Sequence, residues 1–331
     1  MTLKDRYPYT DPQLLDDIVR RLRGAKFVQV IGHVNPDGDC VGSMLALHHL
    51  LGQLGVAHAL ASHKIATSGC YDQLAGFDLI RDRPEPADAC DLVVYVDTAT
   101  MERGIEGWVP PAPVINIDHH AGNTRFGAVN WIEARFAATG EMVYQLAVRA
   151  GARLTPAMAN CLLLAITTDT GSFRYNNTGA DQHRVAAELI EAGASPQAVA
   201  RVAYDSQPIE SLRITGHVLS NLRLEAGGAL AWSELRLEDC LAFGGPDKAP
   251  ENLVSLLRSV RGVKVCLLFH ELEGGRVRVN FRSDGSVNVS RLATQWGGGG
   301  HECAAGLMVK NSADYEKTRD AIIAGTIAGM D

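Results

Sequence analysis

The sequence predicts an α/β protein with two domains, and three observations lead to this prediction. The chain has 331 residues, which is long for one ordinary domain and suits two. Hydrophobic residues make up 46% and charged residues 21%, as is typical of globular proteins. Short β-rich runs alternate with helical stretches before a second β-rich region begins. We therefore expect a first domain at 1–190, a helical connector at 191–222 and a smaller domain at 223–331.

The elements of the first domain follow from apolar patterning and from capping residues. Asp11 and Pro12 are typical of a helix start, and Gly55 and Gly193 are typical of helix ends. Alternation of strands and helices predicts a mostly parallel sheet flanked by helices. The predicted strands are 26–33, 91–99 and 112–120, and the predicted helices are 12–22, 41–55, 140–151, 158–171 (which runs into a loop) and 181–193.

The second domain is predicted to be α/β with a mixed sheet. The connector has helical periodicity at 195–222, and β-rich runs follow it. A turn that contains Gly274 and Gly275 separates the last two of these runs. The predicted strands are 229–235, 264–272 and 276–283, and the predicted helices are 253–260, 290–296 and 312–329.

The charge is unevenly distributed. Residues 1–222 carry 18 basic and 24 acidic side chains, whereas residues 223–331 carry 13 and 14. The segment 258–291 is locally basic. An acidic part beside a small basic zone suggests metal ions in the first and an anionic ligand in the second, although solvated surface charge explains the counts equally well. The net charge of −7 gives no sign of a long groove for nucleic acid.

Other features exclude several classes of protein. No run of about 18 apolar residues occurs, and the start has no apolar core of a signal peptide, so we expect neither a membrane span nor secretion. The seven cysteines never form a CxxC spacing, which favours a reducing cytoplasm over a disulfide framework. They are Cys40, Cys70, Cys90, Cys161, Cys240, Cys266 and Cys303.

The first polar cluster follows the predicted strand 26–33 directly, in the segment GHVNPDGDCVGS. It contains His33, Asp37 and Asp39. Imidazole and carboxylate ligands suit a divalent ion such as Mn²⁺. The alternative is a turn that also caps a helix, because PDGD has the composition of a turn.

Three further clusters hold acids or histidines. Asp97 ends the strand 91–99, where it could instead cap a helix. Asp118, His119 and His120 end the strand 112–120, where the alternative is an exposed polar corner. Asp169 in TTDTGSF could also be part of a turn. In open α/β sheets ligands bind at the carboxyl ends of strands, where three of the four clusters fall.

Together the clusters offer enough ligands for two metal ions that share one carboxylate. Two ions about 3.5–4 Å apart can activate water and stabilise an in-line displacement at phosphorus. The sequence has no GxxxxGK[ST], GxGxxG, HExxH or GxSxG motif, so phosphate-binding loop enzymes, dinucleotide oxidoreductases and serine hydrolases have no support.

The order GHxxPDGDxxGS, VDTA, DHH and TDTGSF resembles the DHH phosphoesterase superfamily. The segment 279–306, with its run GGGGH, is similar to the DHH-associated domain of that superfamily. The two resemblances cover nearly the whole chain, and its size most resembles the nanoRNase-type branch. These are bifunctional oligoribonucleases that also dephosphorylate 3′-phosphoadenosine 5′-phosphate.

The resemblance implies a role for each polar residue of the first domain. His120 contacts the scissile phosphate and assists protonation of the leaving group. Asp118 orients the histidines, and Asn123 lies near the same loop. The implied ligands are His33, Asp37 and Asp97 for one ion, and Asp39, Asp97, His119 and Asp169 for the other, so that Asp97 bridges.

The resemblance also implies that the second domain holds one end of the substrate. Arginine gives a bidentate contact to phosphate, and glycines let backbone N–H groups approach it. The implied residues are Arg282, Ser283, Gly299, Gly300 and His301. A mobile glycine loop and a surface arginine are the alternatives.

These implications predict a phosphoesterase that uses two Mn²⁺ ions, with Mg²⁺ or Co²⁺ as substitutes, in a cleft between the domains. The expected substrates are oligoribonucleotides of two to about five nucleotides, and 3′-phosphoadenosine 5′-phosphate. The alternatives are a linear or cyclic dinucleotide phosphodiesterase, a pyrophosphatase or polyphosphatase, and a regulator that binds nucleotides without catalysis. The oligomeric state stays open between monomer and homodimer.

Overall fold

The computed structural model describes residues 7–64, 71–86, 90–250, 253–310 and 315–330. Two compact units make up the chain, unit 1 at Met1–Ser206 and unit 2 at Gln207–Asp331. Their boundary falls inside the predicted connector 191–222, and the predicted domain limits stay a prediction. Cys70 and residues 312–314 of a predicted helix lie outside the described residues. In the described part of the chain, no helix is long and apolar enough to cross a bilayer.

Unit 1 contains a six-stranded parallel sheet, which confirms the predicted mostly parallel sheet. Its strands are β1 (Phe27–Ile31), β2 (Ala57–Ala61), β3 (Ile80–Arg81), β4 (Leu92–Val96), β5 (Val114–Asp118) and β6 (Val129–Ile132). They lie in the order β3-β2-β1-β4-β5-β6. The strand order reverses between β1 and β4, and ligands bind at this switch point in open α/β sheets.

The central strands are apolar because both faces of the sheet are covered. All five residues of β4 and four of the five in β1 are buried, which is typical of parallel strands. Both strands are shorter than predicted. The chain leaves the sheet before His33, and Asp97 has a φ of 53°, which is incompatible with an extended strand.

The helices of unit 1 confirm that the sheet is flanked by helices. Asp37 caps the second helix, so that helix begins three residues before the predicted 41–55. The fourth helix ends at Asp169, before the predicted loop. The helices are α1 (Pro12–Gly24), α2 (Gly38–Gln53), α3 (Thr139–Arg149), α4 (Pro156–Asp169), α5 (Ala180–Glu191) and α6 (Pro196–Ala200).

Two glycines set the distance between helices that carry site residues. A Cβ on Gly42 of α2 would overlap the Cys161 carbonyl of α4, and a Cβ on Gly140 of α3 would overlap the Ala165 side chain of α4. Since only glycine fits at these contacts, α2 and α3 pack close against α4. The first turns of α2 and α3 and the end of α4 are thereby placed near one another.

Unit 2 has a mixed sheet, as predicted, but this sheet has six strands and only three of them were predicted. After helix α7 (Ile209–Ser220), its strands are β7 (Arg223–Glu225), β8 (Leu230–Leu235), β9 (Val265–Leu272), β10 (Arg276–Ser283), β11 (Gly299–His301) and β12 (Ala304–Val309). Their order is β11-β12-β10-β9-β8-β7. β8 and β9 pair in parallel, and the other neighbouring strands in this order pair antiparallel. The remaining helices are α8 (Leu237–Ala242), α9 (Leu253–Leu257), α10 (Val289–Thr294) and α11 (Tyr315–Ala328).

Candidate metal centre

Polar side chains meet in unit 1 at the switch point between β1 and β4. His33 follows β1, Asp97 follows β4 and His119 follows β5. Neighbouring strands lie about 4.8 Å apart, so their carboxyl ends bring these side chains to one edge of the sheet. Asp39 joins them from the first turn of α2, and Asp169 is the last residue of α4. The structure therefore brings together residues from all four polar clusters of the sequence.

Asp97 lies at the centre of this cluster. Its Oδ2 is 3.5 Å from Nε2 of His33, and its Oδ1 is 3.7 Å from Nε2 of His119. Only 2% of Asp97 is exposed, and the residue caps none of the described helices. The two oxygens of one carboxylate thus face two different groups of donor atoms, which is the geometry that a bridging ligand requires.

On one side of Asp97, the main partners are His33 and Asp37. Nε2 of His33 lies 3.7 Å from Oδ1 of Asp37. The same oxygen accepts hydrogen bonds from the backbone N–H groups of Asp39 and Cys40, so the alternative interpretation of Asp37 as a helix cap also holds. Nδ1 of His33 donates to the carbonyl of Val34 at 3.0 Å, which leaves Nε2 as the nitrogen that faces the carboxylates.

On the other side, His119 faces two further carboxylates. Its Nε2 is 3.1 Å from Oδ2 of Asp169 and 3.7 Å from Oδ2 of Asp39. Nδ1 donates to the carbonyl of Phe136 at 3.3 Å, so Nε2 is again the nitrogen that faces the carboxylates. The N-terminus of α3 holds Asp39, whose oxygens accept from the N–H groups of Thr139 and Gly140 at 2.6 and 2.9 Å.

His120 has a different environment. Its Nδ1 donates to Oδ1 of Asp118 at 2.7 Å and lies 3.7 Å from Oδ1 of Asp97. Asp118 is fully buried, and its other oxygen accepts from Nδ2 of Asn123 at 2.6 Å. Asn123 also donates to Oδ1 of Asn116 at 2.7 Å. This chain of hydrogen bonds fixes the orientation of the His120 ring, whereas His33 and His119 are fixed by backbone carbonyls.

Two residues of the cluster were not predicted from the sequence. Sγ of Cys40 lies within 4.8 Å of donor atoms of His33 and Asp97, and it accepts from the His33 N–H at 3.3 Å. The hydroxyl of Thr139 donates to Oδ1 of Asp97 at 3.1 Å. Cys40 could have been found, because it follows Asp39 directly. No local signal marks Thr139, which is 42 positions from Asp97.

The ionisation of the cluster fits a divalent cation. Burial, together with the charges of Asp97 and Asp169, raises the pKa of Asp39 well above its usual range. Burial alone would lower the pKa of His119, but the hydrogen bond and the charge of Asp169 raise it well above its usual range. The neighbouring carboxylates contribute to both shifts, and a bound cation would relieve this negative potential. The carboxylate and imidazole donors are those that divalent ions prefer.

Comparison with known proteins shows the family of this chain. Residues 27–166 match the DHH family, N-terminal domain, and residues 239–325 match the DHHA1 domain. A relative from Thermus thermophilus, named bifunctional oligoribonuclease and PAP phosphatase NrnA, is 33% identical over 94% of this chain and 93% of its own length. The chain belongs to the DHH family. A relative of the same name from Bacillus subtilis is 28% identical over 84% of this chain and 87% of its own length.

The fold of this DHH family chain also occurs among solved structures. An exopolyphosphatase-related protein from Bacteroides fragilis superposes with a TM-score of 0.85 at 23% identity, over 97% of this chain and 98% of the other. The structure of RecJ in complex with Mn²⁺ from Thermus thermophilus gives a TM-score of 0.52 at 14% identity, over 96% of this chain and 54% of the other. These likenesses concern the fold.

The DHHA1 match contains the residues predicted to hold the substrate. β12 lies between β10 and β11. Its Ala304 pairs with Arg282 on β10 and with His301 on β11. Side chains of directly paired residues share a face of the sheet, so Arg282 and His301 flank one small side chain. Gly300 has a φ of 145°, and a side chain there would overlap the backbone of β12. The structure therefore brings these three predicted residues together.

Ser283 lies differently from its neighbours. It is fully buried, and its hydroxyl accepts from the Gly285 N–H at 3.1 Å. Its backbone carbonyl accepts from Nη1 of Arg258 at 3.0 Å. A direct contact of the Ser283 hydroxyl with substrate stays a prediction.

Proposed function

We propose that this protein is a metal-dependent phosphoesterase that hydrolyses short oligoribonucleotides to mononucleotides. We further propose that it removes the 3′-phosphate of 3′-phosphoadenosine 5′-phosphate. The names of the relatives from Thermus thermophilus and Bacillus subtilis support these substrates. The observation that carries the proposal is the position of Asp97, whose two carboxylate oxygens face two groups of donor atoms.

The donor groups divide into two proposed metal sites. His33, Asp37 and Asp97 form the first, and Asp39, Asp97, His119 and Asp169 form the second. We propose Mn²⁺ at both, with Mg²⁺ or Co²⁺ as substitutes, because mixed imidazole and carboxylate ligands suit these ions. When bound, such ions activate water and stabilise negative charge on phosphoryl oxygens. The protein supplies the fixed directions of its imidazole lone pairs and carboxylates.

His120 is the proposed residue for phosphate contact and for proton transfer to the leaving group. Asp118 holds its Nδ1 at 2.7 Å, so the ring position is set before substrate binds. Asp118 and Asn123 are positioning residues, since they act on the reaction through His120. A fixed ring lowers the entropy that must be lost to reach the transition state.

Unit 2 contributes the proposed substrate-binding residues. Arg282 and His301, on either side of Ala304, provide donors for a terminal phosphate. The backbone of Gly299 and Gly300 can approach the same phosphate closely. A site that holds the end of the chain, without a long basic groove, favours substrates of a few nucleotides.

The proposal is tested with protein stripped of metal by a chelator and then given Mn²⁺ or no metal. The substrates are a 5′-phosphorylated ribodinucleotide, a 20-nucleotide RNA, 3′-phosphoadenosine 5′-phosphate, a linear dinucleotide second messenger and pyrophosphate. We expect Mn²⁺-dependent mononucleotides from the first, phosphate from the third and little product from the long RNA. Turnover of pyrophosphate alone, or no turnover of any substrate, contradicts the proposal.

A further inference from the structure

The sheet of unit 2 is only partly covered on one of its faces. On the opposite face, apolar side chains of β9, β10 and β12 pack against α10 and α11. On the partly covered face, helices α7, α8 and α9 pack on β8 and β9 through Cys266 and Leu268. Among the described residues, none of the buried apolar side chains that pack with these three helices comes from β10, β11 or β12. On this face of those three strands, Asn280, Arg282, Ala304 and Gly306 are half-buried, and Gly299 and His301 are exposed.

Strand register orders these six residues into two rows. Asn280, Gly306 and Gly299 form one row across β10, β12 and β11, and Arg282, Ala304 and His301 form the next. We call these six residues the open strip. Side chains in paired rows point to the same face, and the middle residue of each row is small. The open strip is therefore a shallow trough with a floor at Gly306 and Ala304.

Asn280 forms the wall of this trough beside the glycines. Its Oδ1 lies 3.6 Å from the position that a Cβ on Gly306 would take. Asn280 is half-buried and pairs with Leu268 of β9, and the Leu268 side chain is buried. No described residue forms a hydrogen bond with its carboxamide. A half-buried amide in this position needs a partner from water or ligand.

The two rows are separated by about one nucleotide. Asn280 and Arg282 are two residues apart on one strand, or about 6.8 Å. A phosphate held in the row of Arg282 and His301 therefore places its own base over the row of Asn280. With no side chain on Gly299 or Gly306, a flat ring can lie close to the backbone. The carboxamide of Asn280 then lies at the edge of the base.

We propose that Asn280 reads the base of the bound nucleotide and favours adenine. A carboxamide offers a donor and an acceptor side by side, which match N7 and the N6 amino group of adenine. Hypoxanthine carries an oxygen in place of that amino group, and this oxygen opposes the amide oxygen. The inference deepens the proposed function and rests on it for the assignment of Arg282 and His301 to phosphate.

The test measures binding to the full chain by titration calorimetry, with all metal removed so that no hydrolysis occurs. The probes are AMP, inosine 5′-monophosphate and ribose 5-phosphate, which has no base. We expect the wild-type protein to prefer AMP over inosine 5′-monophosphate by about 5- to 100-fold. Asn280→Ala should abolish this preference and leave the affinity for ribose 5-phosphate unchanged. Asn280→Leu, which keeps a branched side chain of similar size without a hydrogen-bonding group, should do the same.

Arg282→Ala is the matched comparison on the same strand. It should weaken all three probes together, because it removes a phosphate contact common to them. An unchanged preference for AMP in both Asn280 variants overturns the inference. A loss of ribose 5-phosphate affinity in Asn280→Ala equal to the loss of AMP affinity overturns it as well.

A parallel assay separates this inference from the proposed function. Wild-type protein with Mn²⁺ is given the 5′-phosphorylated ribodinucleotide, and mononucleotides are measured. Turnover without any preference for AMP overturns the proposal that Asn280 recognises the base, and it leaves the proposed function intact. A preference for AMP that depends on Asn280, without turnover of any phosphoester, supports the binding site and contradicts the proposed function.

Discussion

At the scale of single residues, Asp97 combines an unusual backbone conformation with the central position in the cluster. Its φ of 53° lies in the left-handed region, which costs most side chains energy and which asparagine and aspartate tolerate best. The conformation turns the carboxylate out of β4 and into the space between His33 and His119. Strain of this kind is often found at functional sites.

Asp97→Asn separates charge from conformation. Asparagine keeps the left-handed backbone, so we expect a folded protein that loses both metal ions and at least about 1,000-fold of its activity. Asp97→Ala should lose the same activity and also about 1 kcal/mol of stability. Metal content by elemental analysis, turnover and thermal melting check these outcomes. Asp82→Asn, on an exposed carboxylate outside the cluster, is the control; an active Asp97→Asn would refute the bridging role.

At the scale of elements, the packing of α2 against α4 places Asp39 relative to Asp169. Gly42 allows the contact, because no side chain fits between α2 and the Cys161 carbonyl. Gly52 lies in the same helix, and a Cβ there would meet nothing within 4 Å. One helix therefore contains a glycine that packing requires and one that it does not.

Gly42→Ala should destabilise the protein by about 1–3 kcal/mol and lower activity, because it separates the two helices. Gly52→Ala should raise stability by about 0.5–1 kcal/mol, since alanine is the better helix former, with activity unchanged. Chemical denaturation and turnover measure both. Equal stability changes in the two variants would show that the contact with α4 does not set the helix distance.

A histidine pair connects α2 to the sheet at another point. Nδ1 of His48 donates to Nε2 of His58 on β2 at 2.6 Å, and Nδ1 of His58 donates to the Val56 carbonyl at 2.8 Å. Burial, and then the nearby His58 and His49, lower the pKa of His48 to about 4. The folded protein therefore holds His48 neutral at a pH where an unfolded chain would protonate it.

This pair predicts a loss of stability in mild acid. An unfolded histidine has a pKa of about 6.5, so below that pH the unfolded chain binds a proton that the folded chain does not. Stability should fall by about 1 kcal/mol between pH 6.5 and about 4, a value reduced because the ring is half exposed. His48→Gln should remove this part of the pH dependence. Identical slopes of melting temperature against pH in both proteins would contradict the assignment.

At the scale of the whole molecule, the two units carry different parts of the proposed reaction. Unit 1 holds the cluster of acids and histidines, and unit 2 holds Arg282 and His301. Each unit has its own sheet and its own apolar core. Metal binding and phosphate anchoring should therefore respond to different substitutions.

Two measurements test this division. Mn²⁺ at about 100 times its dissociation constant should stabilise the metal-stripped protein by about 2.7 kcal/mol for each ion bound, and Asp97→Asn should abolish this effect. Arg282→Ala should keep the stabilisation by Mn²⁺ and mainly raise KM. An Arg282→Ala variant with lower kcat and unchanged KM would contradict a role limited to anchoring. Added NaCl of equal ionic strength serves as the control for the melting shift.

Prediction from sequence succeeded where a local pattern determines an element. The strands that end near His33, Asp97 and His119 were predicted, because they are continuous apolar runs followed by polar residues. The strands β2, β3 and β6 were missed. All three lie at or next to a sheet edge. β3 has only two residues and β6 only four, and neither AHALA of β2 nor VNWI of β6 gives a clear periodicity. Their position depends on the neighbouring strand, which the local sequence does not contain.

The sequence by itself determined which residues could form the cluster, because acids and imidazoles directly after buried strands must lie at the carboxyl edge of a parallel sheet. Only the tertiary structure decided how they face one another. The two oxygens of Asp97 point to different histidines, and the N-terminus of α3 holds Asp39 across 100 positions of the chain. Such contacts depend on helix spacing and backbone conformation, which arise from packing between distant segments and leave no periodic signal in the sequence.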